Sequence, residues 1–308
     1  MRKLLLIVIV TFFASTVIAQ QSDTVKYWKV GGDISLTFSQ ISLTNWAVGG
    51  KSSYSGIAMF NFTAKYAKNK SIWDTYFATA YGIQKTGDDP AEKTEDKIDL
   101  SSTYGYQLSK NKKWYASLTM SFITQYYKGY DPDYDTLLIS DFLTPGYLIV
   151  GAGFTFKPVD YFQVTYSPIS YRLTVVNNQE LANKGEYGLD PAERGIHGNV
   201  IKNANKTRHE IGQSFKLIFQ KEIVKNINFS TRLELFSNFI DNPQNIDVRW
   251  DVLIDMKINN FLTATLTTNL IYDDDINVRD KDGNVGPRTQ FKETLGIGLI
   301  YRFGSVFE

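Results

Sequence analysis

The chain has no cysteine, only two histidines and only eight prolines among its 308 residues. Without thiols, a disulfide framework and a thiolate metal site are both excluded, and His197 has no metal-binding company around it in its segment. Beyond Ala19 no apolar run approaches the ~18 residues that a spanning helix needs, so any membrane contact must be made by strands. Charge of one sign is missing too. Thirty-three basic against 32 acidic residues leave a net +1, which argues against the basic face that a nucleic-acid partner requires.

Aromatics are abundant instead, with 19 Tyr and 20 Phe, a level that suits strands and membrane-interface girdles. The clearest pattern is Asp247 to Ile258. Val248, Trp250, Val252, Ile254, Met256 and Ile258 share one parity, and Asp247, Arg249, Asp251, Asp255 and Lys257 the other, with Leu253 the exception. A period of two with one apolar and one charged face is a strand with lipid on one side and water or a filled lumen on the other.

At the start, Arg2 and Lys3 precede the apolar run from Leu4, and Val17-Ile18-Ala19 closes it. This is the pattern of a cleavable secretory signal. The expected organisation is a signal over 1–19, a short periplasmic segment over 20–30, a barrel over 31–303 and a short tail over 304–308. Twelve strand-like segments follow one another: 31–43, 54–68, 71–84, 96–109, 112–127, 146–157, 160–176, 207–221, 225–240, 246–259, 261–273 and 290–303. Connections after the even segments are short, such as Asn69-Lys70, whereas most after the odd ones are long and polar. Barrels have short periplasmic turns and longer outer loops, which places both termini in the periplasm.

Parity assigns the faces. Phe60 and Phe62, Leu118 and Phe122, Leu217 and Phe219, and Leu262 and Leu266 point outward. In 160–176 the apolar parity changes at Ser167-Pro168, which predicts a bulge, because one extra residue flips the faces and proline cannot donate to the ladder. Trp28, Trp73, Trp114, Phe162, Phe229 and Phe261 stand at the inner ends of odd strands and form a girdle. The last strand alternates Leu295, Ile297, Leu299, Tyr301 and Phe303, a pattern that looks like the terminal assembly signal of outer-membrane barrels.

Inward parity collects charge: Asp33, Lys65, Asp74, Lys97 and Asp99 early, then Arg172, Arg208, Glu210, Lys216, Arg232, Glu234, Arg249, Asp251, Asp255, Lys257, Lys292 and Arg302. Such a lining either pairs across strands and fills the interior or sets the selectivity of a narrow pathway. Loop 177–206 is the natural segment to constrict it. Asp273, Asp274 and Asp275 with Asp280 and Asp282 read as an acidic solvated loop rather than a calcium loop, whose spacing they lack. A turn near Ile223 would pair positions summing to 446, setting Phe215 against Thr231 and His209 against Ser237. That outward Ser and His would suit a lipid hydrolase, but no outward carboxylate or amide stands ready to orient the imidazole.

Asn45-Trp46-Ala47-Val48-Gly49-Gly50, then Trp73, Tyr81-Gly82, Lys93 to Asp96, Tyr104 to Tyr106, Thr124-Gln125, Gly129-Tyr130 and Ser167-Pro168, resemble a family of Bacteroidota outer-membrane proteins catalogued as a domain of unknown function. The resemblance implies an outer-membrane β-barrel and supplies no substrate or catalytic residue. Within its most specific block, Asn45, Trp46, Ala47, Gly49 and Gly50 read as a loop needing glycine freedom with a tryptophan anchor, or as a contact for a ligand or partner.

The sequence therefore predicts an all-β protein, a transmembrane up-and-down antiparallel barrel of about twelve strands in the outer membrane. The expected function is porin-like or narrow, selective permeation of a small hydrophilic solute. A closed barrel that works through its outer loops is the alternative. Outer-membrane lipid, the barrel assembly machinery and the solute are the expected partners; no nucleic acid, cofactor, metal or catalysis is expected.

Overall fold

The computed structural model describes residues 27–43, 51–131, 134–279 and 284–306. Twelve strands build the barrel: β1 (Trp28–Ile41), β2 (Ser53–Lys68), β3 (Ser71–Thr86), β4 (Glu92–Gln107), β5 (Trp114–Thr124), β6 (Gly146–Val159), β7 (Phe162–Val175), β8 (Thr207–Val224), β9 (Ile227–Asn238), β10 (Asp247–Lys257), β11 (Leu262–Tyr272) and β12 (Gln290–Gly304). Each pairs antiparallel with its sequence neighbours, and β12 closes on β1. Closure removes the edges that an open sheet would expose. The block Asn45 to Gly50 and the signal segment lie outside the described residues.

The pleat sorts the side chains as the parity predicts. Ser101, Thr103, Ser117, Thr119, Ser121, Thr155 and Thr165 are buried inside, while Leu36, Leu118, Ile169, Leu295 and Tyr301 stand exposed outside. A polar interior within an apolar exterior is the inverse of a soluble sandwich, and it suits a barrel wall immersed in lipid. At the short-turn end the rings touch one another: Trp28 lies 6.1 Å from Trp73, Trp114 4.7 Å from Phe156, and Phe219 5.9 Å from Phe229. Lys68 and Lys221 lie over the rings of Tyr27 and Tyr161, each holding its charge at the rim while its stem covers apolar surface. The turns at this end are tight, and Asn69 and Asn226 take the left-handed backbone that asparagine tolerates.

The bulge falls where the parity changes. On one side of β7 the register jumps between Ala152↔Ile169 and Phe154↔Tyr166, and on the other between Gly212↔Ser170 and Ser214↔Ser167. The extra residue lets Gln163, Thr165 and Ser167 face inward before it and Ser170, Arg172 and Thr174 after it.

One register differs from expectation. β8 runs on to Val224 and turns at Lys225-Asn226, so it pairs with β9 as Phe215↔Leu235 and Phe219↔Thr231. A one-residue shift between Glu222 and Val224 carries the strand past Ile223, and the expected sum of 446 fails. His209 instead pairs with Leu173 and bonds the Tyr171 hydroxyl, and Ser237 faces Gln213 and donates to the Pro243 carbonyl. The two residues are not juxtaposed.

Candidate functional site: a vestibule above a charged floor

β10 lies diametrically opposite β4 in the ring of twelve, and β9 lies five places from it. Side chains nevertheless meet between these walls at mid-height. Arg232 of β9 pairs with Asp99 of β4, and Arg249 of β10 approaches the same carboxylate at 3.8 Å. Lys97 adds a contact at 3.4 Å. Lys216 of β8 donates to Ser101 at 2.8 Å and pairs with Glu234 at 3.0 Å, while Ser121 of β5 donates to Glu234 at 3.3 Å. Asp99 is 0% exposed. A carboxylate so far from water needs the cations that converge on it, and together these groups make a floor across the lumen.

Below the floor the interior is packed. Lys157 pairs across the interior with Asp74 at 2.8 Å, and Arg302 pairs with Asp255. Asp33 accepts from Asn61 at 2.9 Å, Lys65 is partly buried, and Lys257 is exposed at the rim. On the opposite, long-loop side of the floor, Lys292 of β12 reaches Glu95 of β4 at 2.5 Å.

Above the floor is a cavity of about 870 Å³. Lys216, Glu234 and Arg249 form its base, and Ile123, Ile149, Phe236 and Ile271 of the barrel make its wall. Leu137, Leu138, Ile139, Ile276, Val278 and Val285 of the long loops complete an apolar collar. This size and lining match a small-molecule pocket, with much apolar surface and few polar groups. Among the described residues Arg249 makes one hydrogen bond, a 3.4 Å contact from Nε to Asp251, besides its 3.8 Å approach to Asp99. The Tyr147 hydroxyl is buried there with no hydrogen-bond partner among the described residues.

Loop 176–206 covers the mouth on a small core of its own. Asn178 caps the helix α1 (Gln179–Lys184) by accepting from the backbone of Glu180 and Leu181, and Gly185 ends it at φ 79°. Val176, Leu181, Ala182 and Leu189 pack together against Leu138, Tyr187 and Ala204. The Tyr187 hydroxyl donates to the Ile139 carbonyl, tying the loop to the Tyr134–Ser140 ribbon. Lys184, Glu186 and Tyr187 thereby line the vestibule.

Beside the mouth, Arg172 is the hub of an acidic group. It bonds Glu210 through Nε at 2.6 Å and Nη2 at 2.7 Å, pairs with Asp247, and stands 3.5 Å from Asp275 and 4.0 Å from Asp273. Arg208 pairs with Asp275 and lies 3.5 Å from Glu210. The Phe236 ring stacks under the Arg172 guanidinium at 4.5 Å. Oxygens of Asp247, Asp273 and Asp274 lie within 4.8 Å of one another, the one grouping among the described residues with the spacing for a cation. Arg172 already engages Asp247, and Asn245 donates to Asp274 at 2.6 Å, so the protein supplies these carboxylates with its own partners. Asp280 and Asp282 lie outside the described residues.

Burial pushes the Asp273 carboxyl up to about 6 despite Arg172 nearby. Its folded value exceeds the ordinary 3.8, so the folded state holds the proton more tightly between these values. Stability contributed by this group is therefore fully present below about pH 4 and falls as pH rises through about 6. The wild type is expected to lose about 2–3 kcal/mol relative to Asp273→Asn over that window, read as urea midpoints in detergent; parallel curves would show that Asp273 does not titrate there.

The lumen-facing charges follow the inward parity, and the apolar collar interrupts it at the outer end. Its signal was present: the inward parity turns apolar at the outer ends of β5, β6, β9 and β11, at Ile123, Ile149, Phe236 and Ile271. Residues 38–130 match the model of a family described as a protein of unknown function, DUF3078. No curated protein matches the chain. Among solved structures, an outer membrane channel from Pseudomonas putida F1 aligns at 11% identity, covering 92% of this chain and 100% of that one, with a TM-score of 0.35. The NanC porin aligns at 8% identity, 88% and 98% coverage and a TM-score of 0.34. The NalP translocator domain from Neisseria meningitidis aligns at 8%, 92% and 90%, with 0.32.

Proposed function

We propose that this chain is an outer-membrane barrel for selective uptake of a small solute, collected in the outer vestibule and sealed off from free ion flow by the floor at Asp99. The observation that carries this reading is the juxtaposition of a ligand-sized cavity of about 870 Å³ with an ion-pair lattice that crosses the lumen beneath it. The short turns face the periplasm, as do both termini, and the long loops face outward. Passage along the axis requires the floor to rearrange, which makes the pathway selective. The apolar collar favours a solute with an apolar body over the purely hydrophilic one that the charge pattern predicts.

The test is conductance in a planar bilayer. The wild type is expected to be silent or nearly so, and the double variant Arg232→Ala/Arg249→Ala to show steady steps, because removing both guanidiniums opens the lattice where it spans the lumen. Steady steps in the wild type would mean that the floor is no seal. A second reading, a closed barrel that only binds at its outer end, draws on the complete burial of Asp99; silence in a folded double variant would favour it.

A further inference from the structure

A solute with an apolar body cannot cross the Asp99 floor cheaply, because it would have to displace paired charges without replacing their contacts. The vestibule wall, however, has one place where the strand ladder is broken. Around Ser167–Ile169 the register of β7 slips against β6 and β8 together, and Pro168 has no N–H to give to either side. Elsewhere the wall is held by regular pairing, so this is its weakest stretch beside the cavity.

Both surfaces of the wall are unusual there. Inside, the side chains are small: Thr165, Ser167 and Ser214 line the vestibule, and Ser170 meets Ser214 at 2.8 Å. On β6, Gly153 lets the β7 backbone approach closely, and a Cβ there would run into the Tyr166 carbonyl. Outside, the Tyr166 hydroxyl donates to Gln213 at 2.7 Å. Gln213 stands six residues above Phe219 of the short-turn girdle, roughly 15 Å at ~3.4 Å per residue and ~40° tilt, near the middle of a ~25 Å apolar belt. A polar pair at that depth is costly against lipid, and here it bridges β7 to β8 across the slip.

The geometry points to a lateral portal: an apolar or amphipathic small molecule leaves the vestibule sideways between β7 and β8 into the membrane, with Ser170–Ser214 as the inner latch and Tyr166–Gln213 as the outer one. The portal rests on the reading of the vestibule as a solute site. It lets the floor stay shut, so solute passes without an ion leak.

The absence of cysteine makes the test direct. Ser170→Cys/Ser214→Cys, oxidised, places a disulfide across the inner latch. The dye N-phenyl-1-naphthylamine is offered to the folded barrel in vesicles with a lipopolysaccharide outer leaflet, where unaided uptake is slow. Wild-type barrel is expected to speed uptake; the oxidised variant should lose at least tenfold of that gain, and dithiothreitol should restore it. Tyr166→Phe, which removes the outer latch without a new disulfide, should raise the rate at least threefold and serves if the cysteine pair does not fold. Vestibule binding is read separately by calorimetry in detergent, with Ile149→Trp filling the cavity as control. Binding lost in Ile149→Trp, with uptake equal in locked and unlocked barrels, would overturn the portal alone. Absence of any binding to the wild type would remove the vestibule reading, and the portal with it.

Discussion

Arg172→Met is expected to lower the stability of the folded barrel by about 3–5 kcal/mol. Glu210 is 1% exposed, and its two oxygens accept from Nε and Nη2 of this one guanidinium. Methionine keeps much of the volume but removes the charge, leaving Glu210, Asp247 and Asp273 facing each other with Arg208 as the remaining cation close to Glu210. Breaking a buried pair from one side costs more than the pair itself contributes, because the remaining charge stays desolvated. The Phe236 ring would also lose its cation. Urea midpoints in detergent measure the effect, and the double change Arg172→Met/Glu210→Gln should recover more than about 1 kcal/mol of it. A loss below about 1 kcal/mol would show that water reaches these carboxylates and that the outer end is held by its loops.

Deleting Pro168 is expected to prevent formation of the folded barrel altogether. Without the extra residue β7 has a single parity. Either Arg172 and Thr174 turn to the lipid, or Gln163, Thr165 and Ser167 do. Arg172 stands near the outer interface, where an arginine on the lipid face costs only about 0–1 kcal/mol, so the larger loss is that of the Arg172 network. Pro168→Ala keeps the residue count and should fold, with a change within about 1 kcal/mol. The heat-modifiable gel shift of a folded barrel distinguishes the two. A folded deletion variant would show that the slip can be absorbed elsewhere in β7, and that the bulge does not set the faces.

Much of this architecture was readable from alternation. A strand's side chains change face at every residue, so one apolar parity identifies the lipid side whatever the neighbours are, and the parity change at Ser167-Pro168 located the bulge for the same reason. The hairpin between β8 and β9 was less legible. Its register depends on where the turn closes, and Glu222 to Val224 carry no strong breaker, so the strand ran three residues further than the charge pattern suggested. That shift separated His209 from Ser237.

The sequence by itself determined the barrel, its faces, its aromatic girdle and the set of charges turned inward, because these follow from local period and composition. Only the tertiary structure decided what those charges do. Asp99 and Arg249 are 150 residues apart and on opposite walls, and no periodicity says whether two inward charges meet across a lumen or stand apart with water between them. That depends on the diameter set by ring closure and on loop 176–206 folding over the mouth. The same closure brings Ile123, Ile149, Phe236 and Ile271 together into one collar, turning four scattered apolar residues into a solute-sized vestibule.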